Sequence, residues 1–385
     1  MKDTLQESAV QNPDTGSRFF TSPGSVVLQP ETLCNLDCSY CYLPFRKSRN
    51  TMSLAVAQAV AESIRSWTAQ TKVDVCWHGG EPLAAGREKL GQLMDCFSGL
   101  DVQHEIQTNA TLVNDAWCEF FTERRVRVGV SIDGHSVDDA NRIDRRGLPA
   151  HDRIAKGIQI LREHGHTISG IAVVSNPTPQ RAQRLIRFAE ENGISTLGVN
   201  IEEQEGVNIK VNENDHHTTI SFWSELARNW LAHSTIDIRE IRRALGYLDS
   251  VLRNDAHASH RPPLVDPLPT VAYDGSVTLI SPELAGFNST TGSFATGNVL
   301  QQSLDEIIAA AGEASWIQEF KSGIGACAET CPYFDFCGGG HASNRYFEHG
   351  RMDGTETNYC RNSKIALMEG ILNVAEHRIA DDPNS

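Results

Sequence analysis

The stretch between Val26 and Ile201 leaves this chain few folds to choose from. Short apolar runs, SVVLQP, KVDVCWHGG, HEIQTN, VRVGVSIDG, ISGIAVVSN and TLGVNIE, alternate with segments of helical period such as MSLAVAQAVAESIRSW, NDAWCEFFTERR and PQRAQRLIRFAEENG. Near-continuous apolar runs describe strands buried on both faces. Helices between successive strands make those strands parallel neighbours. The expected architecture is therefore α/β, a six-stranded parallel sheet curled into a partial barrel. Ser53 is placed to cap the first helix. In such sheets functional residues gather beyond the carboxyl ends of the strands. The sequence puts CNLDCSYC, HGGEP, QTNAT, SIDGH and VSNPT there, five loops whose chemistry packing alone does not explain.

From about Asp215 the rhythm changes. Two helices lead to a proline-rich break, a hairpin over TVAYDGSVTLIS with Asp274-Gly275 at its turn, a cysteine-bearing segment and a closing helix. The expected organisation is a flexible tail over 1–24, a barrel over 25–210, a helical linker over 211–263 and a second domain over 264–385. A net charge of −15 argues against a nucleic-acid partner, since phosphate backbones attract positive surfaces. No apolar run reaches the ~20 residues of a membrane helix. The polar start carries no signal-peptide pattern, so a cytoplasmic location with reduced thiols is expected.

Ten cysteines fall mostly into two groups, Cys34, Cys38 and Cys41, then Cys327, Cys331, Cys337 and Cys360. In a reducing compartment such groups read as metal sites. Cys76, Cys96 and Cys118 have apolar neighbours and read as core residues. The first group is one ligand short of a closed site, and no Cys or His lies between Cys41 and Cys76. Three thiolates can hold a 4Fe–4S cube by three corners and leave one iron open.

CX3CXΦC at the end of a first strand, with Tyr40 as the aromatic position, resembles the signature of the radical S-adenosylmethionine superfamily. That resemblance implies a partial (β/α)6 TIM-like barrel whose open iron binds the cofactor. One electron from the cluster would then release a 5′-deoxyadenosyl radical. It also assigns the other rim loops. Gly79, Gly80, Glu81 and Pro82 match the segment that binds the methionine amino group, where glycines allow close backbone approach and Glu81 can offset an ammonium. Ser131 and Arg142 match the pair that holds the methionine carboxylate, with Arg145 and Arg146 as competing arginines. Val173 or Val174 would flank the adenine. Thr108 and Asn109 read equally as a ligand-facing pair or a strand-end turn.

The second group, spaced CX3CX5C…C, is complete, and a zinc ribbon is one way to use it. The segment also resembles the SPASM domain, the auxiliary iron–sulfur domain of radical enzymes that modify peptides. It departs from that pattern where His341 stands in place of a cysteine after the glycines and where no cysteines flank the hairpin. These losses remove the first auxiliary cluster and keep the second, so two 4Fe–4S clusters are expected in all. His341 reads as either a ligand or a polar, substrate-facing residue.

GGGHASNRYFEHG…TETNYCR further resembles the maturases that form cyclophanes in ribosomally made peptides (RiPPs). The implied reaction abstracts a Cβ hydrogen and joins that carbon to a nearby aromatic ring, with the auxiliary cluster accepting one electron. Asp274, Glu283 and Asp335 are the candidate proton acceptors. The implied partners are a precursor peptide, an electron donor such as flavodoxin or ferredoxin, and a separate leader-binding protein. Two other readings remain: a formylglycine-forming sulfatase maturase, and a non-catalytic zinc-bearing scaffold that binds peptides.

Overall fold

The computed structural model describes residues 23–210, 214–233, 235–253, 267–290 and 292–380. The tail expected before residue 23 and the linker's end over 254–263 lie outside the described residues. The six apolar runs are strands: β1 (Ser25–Leu28), β2 (Val73–Trp77), β3 (Val102–Thr108), β4 (Arg127–Ser131), β5 (Ile168–Val174) and β6 (Ile194–Ile201). They pair in chain order and all in parallel. Between them run α1 (Leu54–Ser63), the one-turn α2 (Arg65–Thr68), α3 (Arg87–Asp95), α4 (Asp115–Glu123), α5 (His151–Glu163) and α6 (Pro179–Glu191). Ser53, Asn114 and Thr178 start α1, α4 and α6 by accepting a hydrogen bond from a first-turn backbone N–H. Val26, Leu28, Val75, Trp77, Ile106 and Val130 are buried in the core beneath these helices. Of the three single cysteines Cys118 is fully buried, Cys96 is half-buried and packs against the core, and Cys76 is half-buried in β2.

The sheet does not stop at six strands. β7 (Asp237–Ile238) adds in parallel to β6, and the hairpin β8 (Thr270–Val271) and β9 (Ser276–Thr278) joins the far edge. There β8 lies parallel to β1, with Val27 N–H donating to Pro269 and Gln29 N–H to Val271. Gly297–Asn298 completes the order antiparallel to β9. The sequence places the hairpin and its turn correctly but not its partner, because a period-2 pattern does not name the strand it pairs with. Segments beyond residue 210 therefore extend the barrel's own sheet at both edges.

The remaining helices are α7 (His216–His233), α8 (Arg239–Leu252), α9 (Leu304–Ala310), α10 (Ser315–Thr330), α11 (Phe334–Cys337), α12 (Ala342–His349), α13 (Asn358–Cys360) and α14 (Ala366–Ala380). Among the described residues no helix is long and apolar enough to cross a membrane. The closing helix opens with a π turn, Arg361–Ile365, which helical periodicity does not reveal. Trp223 of α7 anchors that turn, its indole N–H donating to Asn362 O at 2.8 Å. α14 packs on α7 at Gly370, where a Cβ would stand 2.7 Å from the Trp223 Cβ and 3.0 Å from Ile220 O. Gly370→Val is expected to force the two helices apart at a cost of about 1–3 kcal/mol. A lowered thermal-unfolding midpoint would register it, and an unchanged midpoint would refute the close packing.

Candidate active site

The loop after β1 carries the first three cysteines, all half-buried at the carboxyl rim. It is pinned by Cys34 N–H to Arg46 O, Asp37 N–H to Ile143 O and Ser39 N–H to Asn141 O. Donors also face the sulfur of Cys34: Leu36 N–H at 3.4 Å and the Asn109 side-chain amide at 3.7 Å. Burial, then Glu81 and the two neighbouring thiols, pushes the Cys34 thiol up to about 12. Burial likewise raises Cys38 to about 12 and raises Cys41, with Arg142 opposing in both cases. Three crowded thiols with donors aimed at a sulfur suit a cationic iron centre, which would favour their thiolate forms.

Two buried carboxylates organise the rest of the rim. Glu81 accepts from the Thr108 hydroxyl at 2.6 Å, from Asn109 N–H at 2.8 Å and from Leu83 N–H at 3.0 Å. It thereby ties the glycine loop after β2 to the end of β3. Its lone pairs are largely occupied, so an ammonium would meet a carboxylate already engaged. Gly79 and Gly80 have φ of 92° and 62°, and a Cβ at Gly80 would stand 2.4 Å from Glu31 O. Only glycine lets this loop lie so close to the segment leading into Cys34. Pro82 opens the short helical turn that follows.

Asp133, quoted within SIDGH but not singled out from sequence, is the second organiser. It accepts from the Tyr40 hydroxyl at 2.7 Å, Val173 N–H at 3.0 Å and the Arg142 Nη2 at 3.1 Å. Three residues chosen for cofactor contact are thus brought together by one side chain. Burial works against the Arg142 charge, but Asp133, Tyr40, Cys38 and Asp139 more than offset it and hold the guanidinium above its ordinary range. Two of its donor groups are committed to Asp133. Of the competing arginines, Arg145 binds the carbonyls of Cys34 and Arg46, and Arg146 pairs with Asp144. Ser131 accepts from Gln107 at 2.8 Å at the end of β4.

A different carboxylate group lies in the mouth. Glu203 and Glu205, just beyond β6, stand with Glu283 from the segment after β9. Burial, then Glu283 and Glu203, raises Glu205 well above its usual range. Burial, opposed by a hydrogen bond from Asn344 and reinforced by Glu283, pushes Glu203 up to about 8. Burial also raises Glu283. Tyr42, next to Cys41, faces this group and bonds His78 through its hydroxyl at 3.1 Å. Burial lowers His78 to about 4, so the imidazole is neutral. Sequence reading missed Glu203, Glu205, Tyr42 and His78. The available signal was position, since IEEQEG follows the last barrel strand directly. Of the three candidate proton acceptors only Glu283 joins this group. Asp274 caps its own turn by accepting from Ser276 N–H, and Asp335 is exposed on α11.

The second cysteine group lines one cavity of about 300 Å³, to which Cys327, Cys331, Cys337 and Cys360 all contribute. Among the described residues no group of three or more His, Cys, Asp or Glu side chains is placed to hold a single metal ion. The fit to a larger group rests on the shared cavity and on the donors around it. Arg345, buried in α12, donates to the Cys327 sulfur at 3.2 Å, and Thr357 accepts from Cys360 N–H. Glu348 fixes the approach to Cys360 by accepting from Asn358 and Tyr359 N–H. The two residues before Arg345 turn to the mouth: Ser343 donates to Glu205 at 2.7 Å, and Asn344 donates to Glu203. His341 stacks on Tyr359 with ring centroids 4.7 Å apart.

Comparison with known proteins agrees with this geometry. The pattern of the radical SAM superfamily matches residues 30–189. An uncharacterised Synechocystis protein, sll1766, is 30% identical over 373 residues, 92% of each chain. A serine-type anaerobic sulfatase-maturating enzyme of Bacteroides thetaiotaomicron is 32% identical, over only 41% of each chain. Among solved structures, anSMEcpe with bound AdoMet and Cp18Cys peptide superposes with a TM-score of 0.71 at 21% identity, covering 92% of this chain and 99% of that one. Streptococcus suis SuiB bound to precursor peptide SuiA gives 0.63 at 17% identity, covering 88% and 76%. The chain belongs to the radical SAM superfamily, whose enzymes work with S-adenosylmethionine and a 4Fe–4S cluster.

Proposed function

We propose that this enzyme matures a ribosomally made peptide by joining a side-chain β-carbon to a nearby aromatic ring carbon, a cyclophane crosslink. Cys34, Cys38 and Cys41 would hold the cluster that binds S-adenosylmethionine, with Tyr40, Gly79, Gly80, Glu81, Pro82, Ser131, Arg142 and Val173 around the cofactor. Cys327, Cys331, Cys337 and Cys360 would hold a second 4Fe–4S cluster. When bound, these groups supply a carbon radical that takes a hydrogen atom and an acceptor for one electron. Each crosslink removes two hydrogens from the peptide, one as an atom and one as a proton plus an electron. The protein's part is to take that proton beside the electron acceptor.

One observation carries this reading. Three consecutive residues of α12, Ser343, Asn344 and Arg345, bond Glu205, Glu203 and the Cys327 sulfur respectively. One helix thus links proton acceptors in the mouth to the cysteines of the auxiliary site. These residues lie in the GGGHASNRYFE segment that resembles the cyclophane maturases. Formylglycine formation needs the same two removals, and the sulfatase-maturating relative makes it the second reading. Co-expression with peptides encoded beside the gene, with a flavodoxin or ferredoxin as reductant, separates the two. Both reactions remove two hydrogens from a serine substrate, so tandem mass spectrometry must locate the change. A ring blocks backbone fragmentation between the joined residues, whereas an aldehyde reacts with a hydrazide. Aldehyde without a ring would overturn the proposal.

Iron analysis of protein prepared without oxygen should give about eight irons per chain for two 4Fe–4S clusters. Cys327→Ser should lower that to about four, whereas zinc in place of iron would support the non-catalytic scaffold. Glu203→Gln and Glu205→Gln should slow crosslinking by roughly 10²–10⁴ while S-adenosylmethionine cleavage continues. Asp274→Asn and Asp335→Asn should stay near wild type. A proton acceptor works ionised, so the crosslinking rate should climb with pH through about 8. Folding runs the other way. A carboxyl raised from 4.5 to about 8 contributes its full stability below about 4.5 and loses it progressively as pH rises from about 4.5 to about 8. Glu203→Gln should therefore gain stability over wild type progressively from about pH 4.5, partly by about pH 6 and fully in alkaline buffer.

A further inference from the structure

The hairpin-side position, where an auxiliary cluster's cysteines are missing, contains a cavity of about 470 Å³. Its walls come from the start of β1, both flanks of the β8–β9 hairpin, α8, α10, the glycine turn before α12 and the π turn. Cys337 is the one thiol among the lining residues and it also lines the other cavity, so no cluster fits here. Among the described residues the charged side chains on the wall are Arg243 and Lys364, beside His341, with no Asp or Glu. That is a marked local excess in a chain of net charge −15. Lys364 is about nine-tenths buried, at 9% exposure. Among the described residues its ammonium contacts the Tyr359 ring at 5.2 Å but has no hydrogen bond or ion pair. An unpaired ammonium facing this cavity would gain an ion pair from a carboxylate placed there. Leu268, Ile280, Phe320 and Ile324 supply apolar walls, and the space exceeds what a small inorganic anion fills.

We propose that this cavity binds a carboxylate of the peptide substrate, with Lys364 and Arg243 as its cationic partners. The inference rests on the peptide-maturase reading. Ser281 connects the cavity to the mouth, since it lines the wall and accepts from Ser343 N–H, while Ser343 bonds Glu205. A peptide seated by its carboxylate here would extend toward the reacting end.

The test is binding to the full-length holoenzyme, measured by fluorescence anisotropy and kept apart from turnover. The probes are the peptides encoded beside the gene, each made as the free acid, as the C-terminal amide, and with Asp and Glu changed to Asn and Gln. One source of carboxylate, the terminus or an acidic side chain, should prove necessary, and removing it should weaken binding ~10–100-fold. Lys364→Met and Arg243→Gln should weaken the acid form by a similar factor and leave the neutralised form unchanged. Lys364→Arg should retain most of the affinity. Arg243 is exposed, so Arg243→Gln keeps the test open if Lys364→Met fails to fold. Equal binding of acid and neutralised peptides, or no binding by any of them, overturns the cavity's role. A peptide that is crosslinked yet indifferent to neutralisation overturns the cavity alone. A peptide that binds by its carboxylate and is never crosslinked overturns the maturase reading alone.

Discussion

Two carboxylates beyond β6 join the two halves of this molecule, and the way they are satisfied sets their chemistry. Glu203 and Glu205 reach across the mouth to Ser343 and Asn344 of α12. Their hydrogen-bonding partners are neutral: a hydroxyl and an amide donate but bring no charge. An arginine at the same place would fix both groups as anions and end their use as bases. Neutral donors orient the carboxylates and leave them able to accept a proton, which is why recession in the mouth raises their pKa values.

The rim carboxylates show the contrast. Asp133 faces a guanidinium and also accepts from Tyr40 and Val173, and Glu81 is filled by three donors. A carboxylate offers about four lone-pair sites, and these two have few left. Their effect is mechanical: Glu81 holds the glycine loop to β3, and Asp133 gathers Tyr40, Arg142 and Val173 into one cluster. The acidic groups of the barrel thus divide between those that hold loops and those with capacity for chemistry. Hydrogen-bond occupancy separates them better than burial does.

The barrel was legible because its signals are local. Apolar runs, helical periods and the cap at Ser53 lie within a few residues of what they specify. The cysteine groups were legible because spacing along the chain limits which thiols can meet. What stayed hidden was long-range. β8 pairs with a strand more than two hundred residues earlier, and Glu205 meets Ser343 across 138 residues. Nothing local marks IEEQEG until the partner helix is known, and Asp274 reads as a candidate until its turn claims it. The π turn escaped because one widened turn barely perturbs a periodic pattern.

The cavity beside the hairpin is not a neutral gap. The cavity there carries Arg243 and Lys364, while the mouth carries Glu203, Glu205 and Glu283, so opposite charges occupy neighbouring spaces. The Tyr359 ring lies at the join: Lys364 sits over it, His341 stacks on it, and Glu203 is near enough to raise its phenol. If Lys364 and the mouth glutamates paired directly, the ammonium would stabilise the anions and depress their basicity. Held over an aromatic face, Lys364 is left free for another acceptor and weakens the glutamates' basicity less. A peptide carboxylate in the cavity would neutralise that cation further.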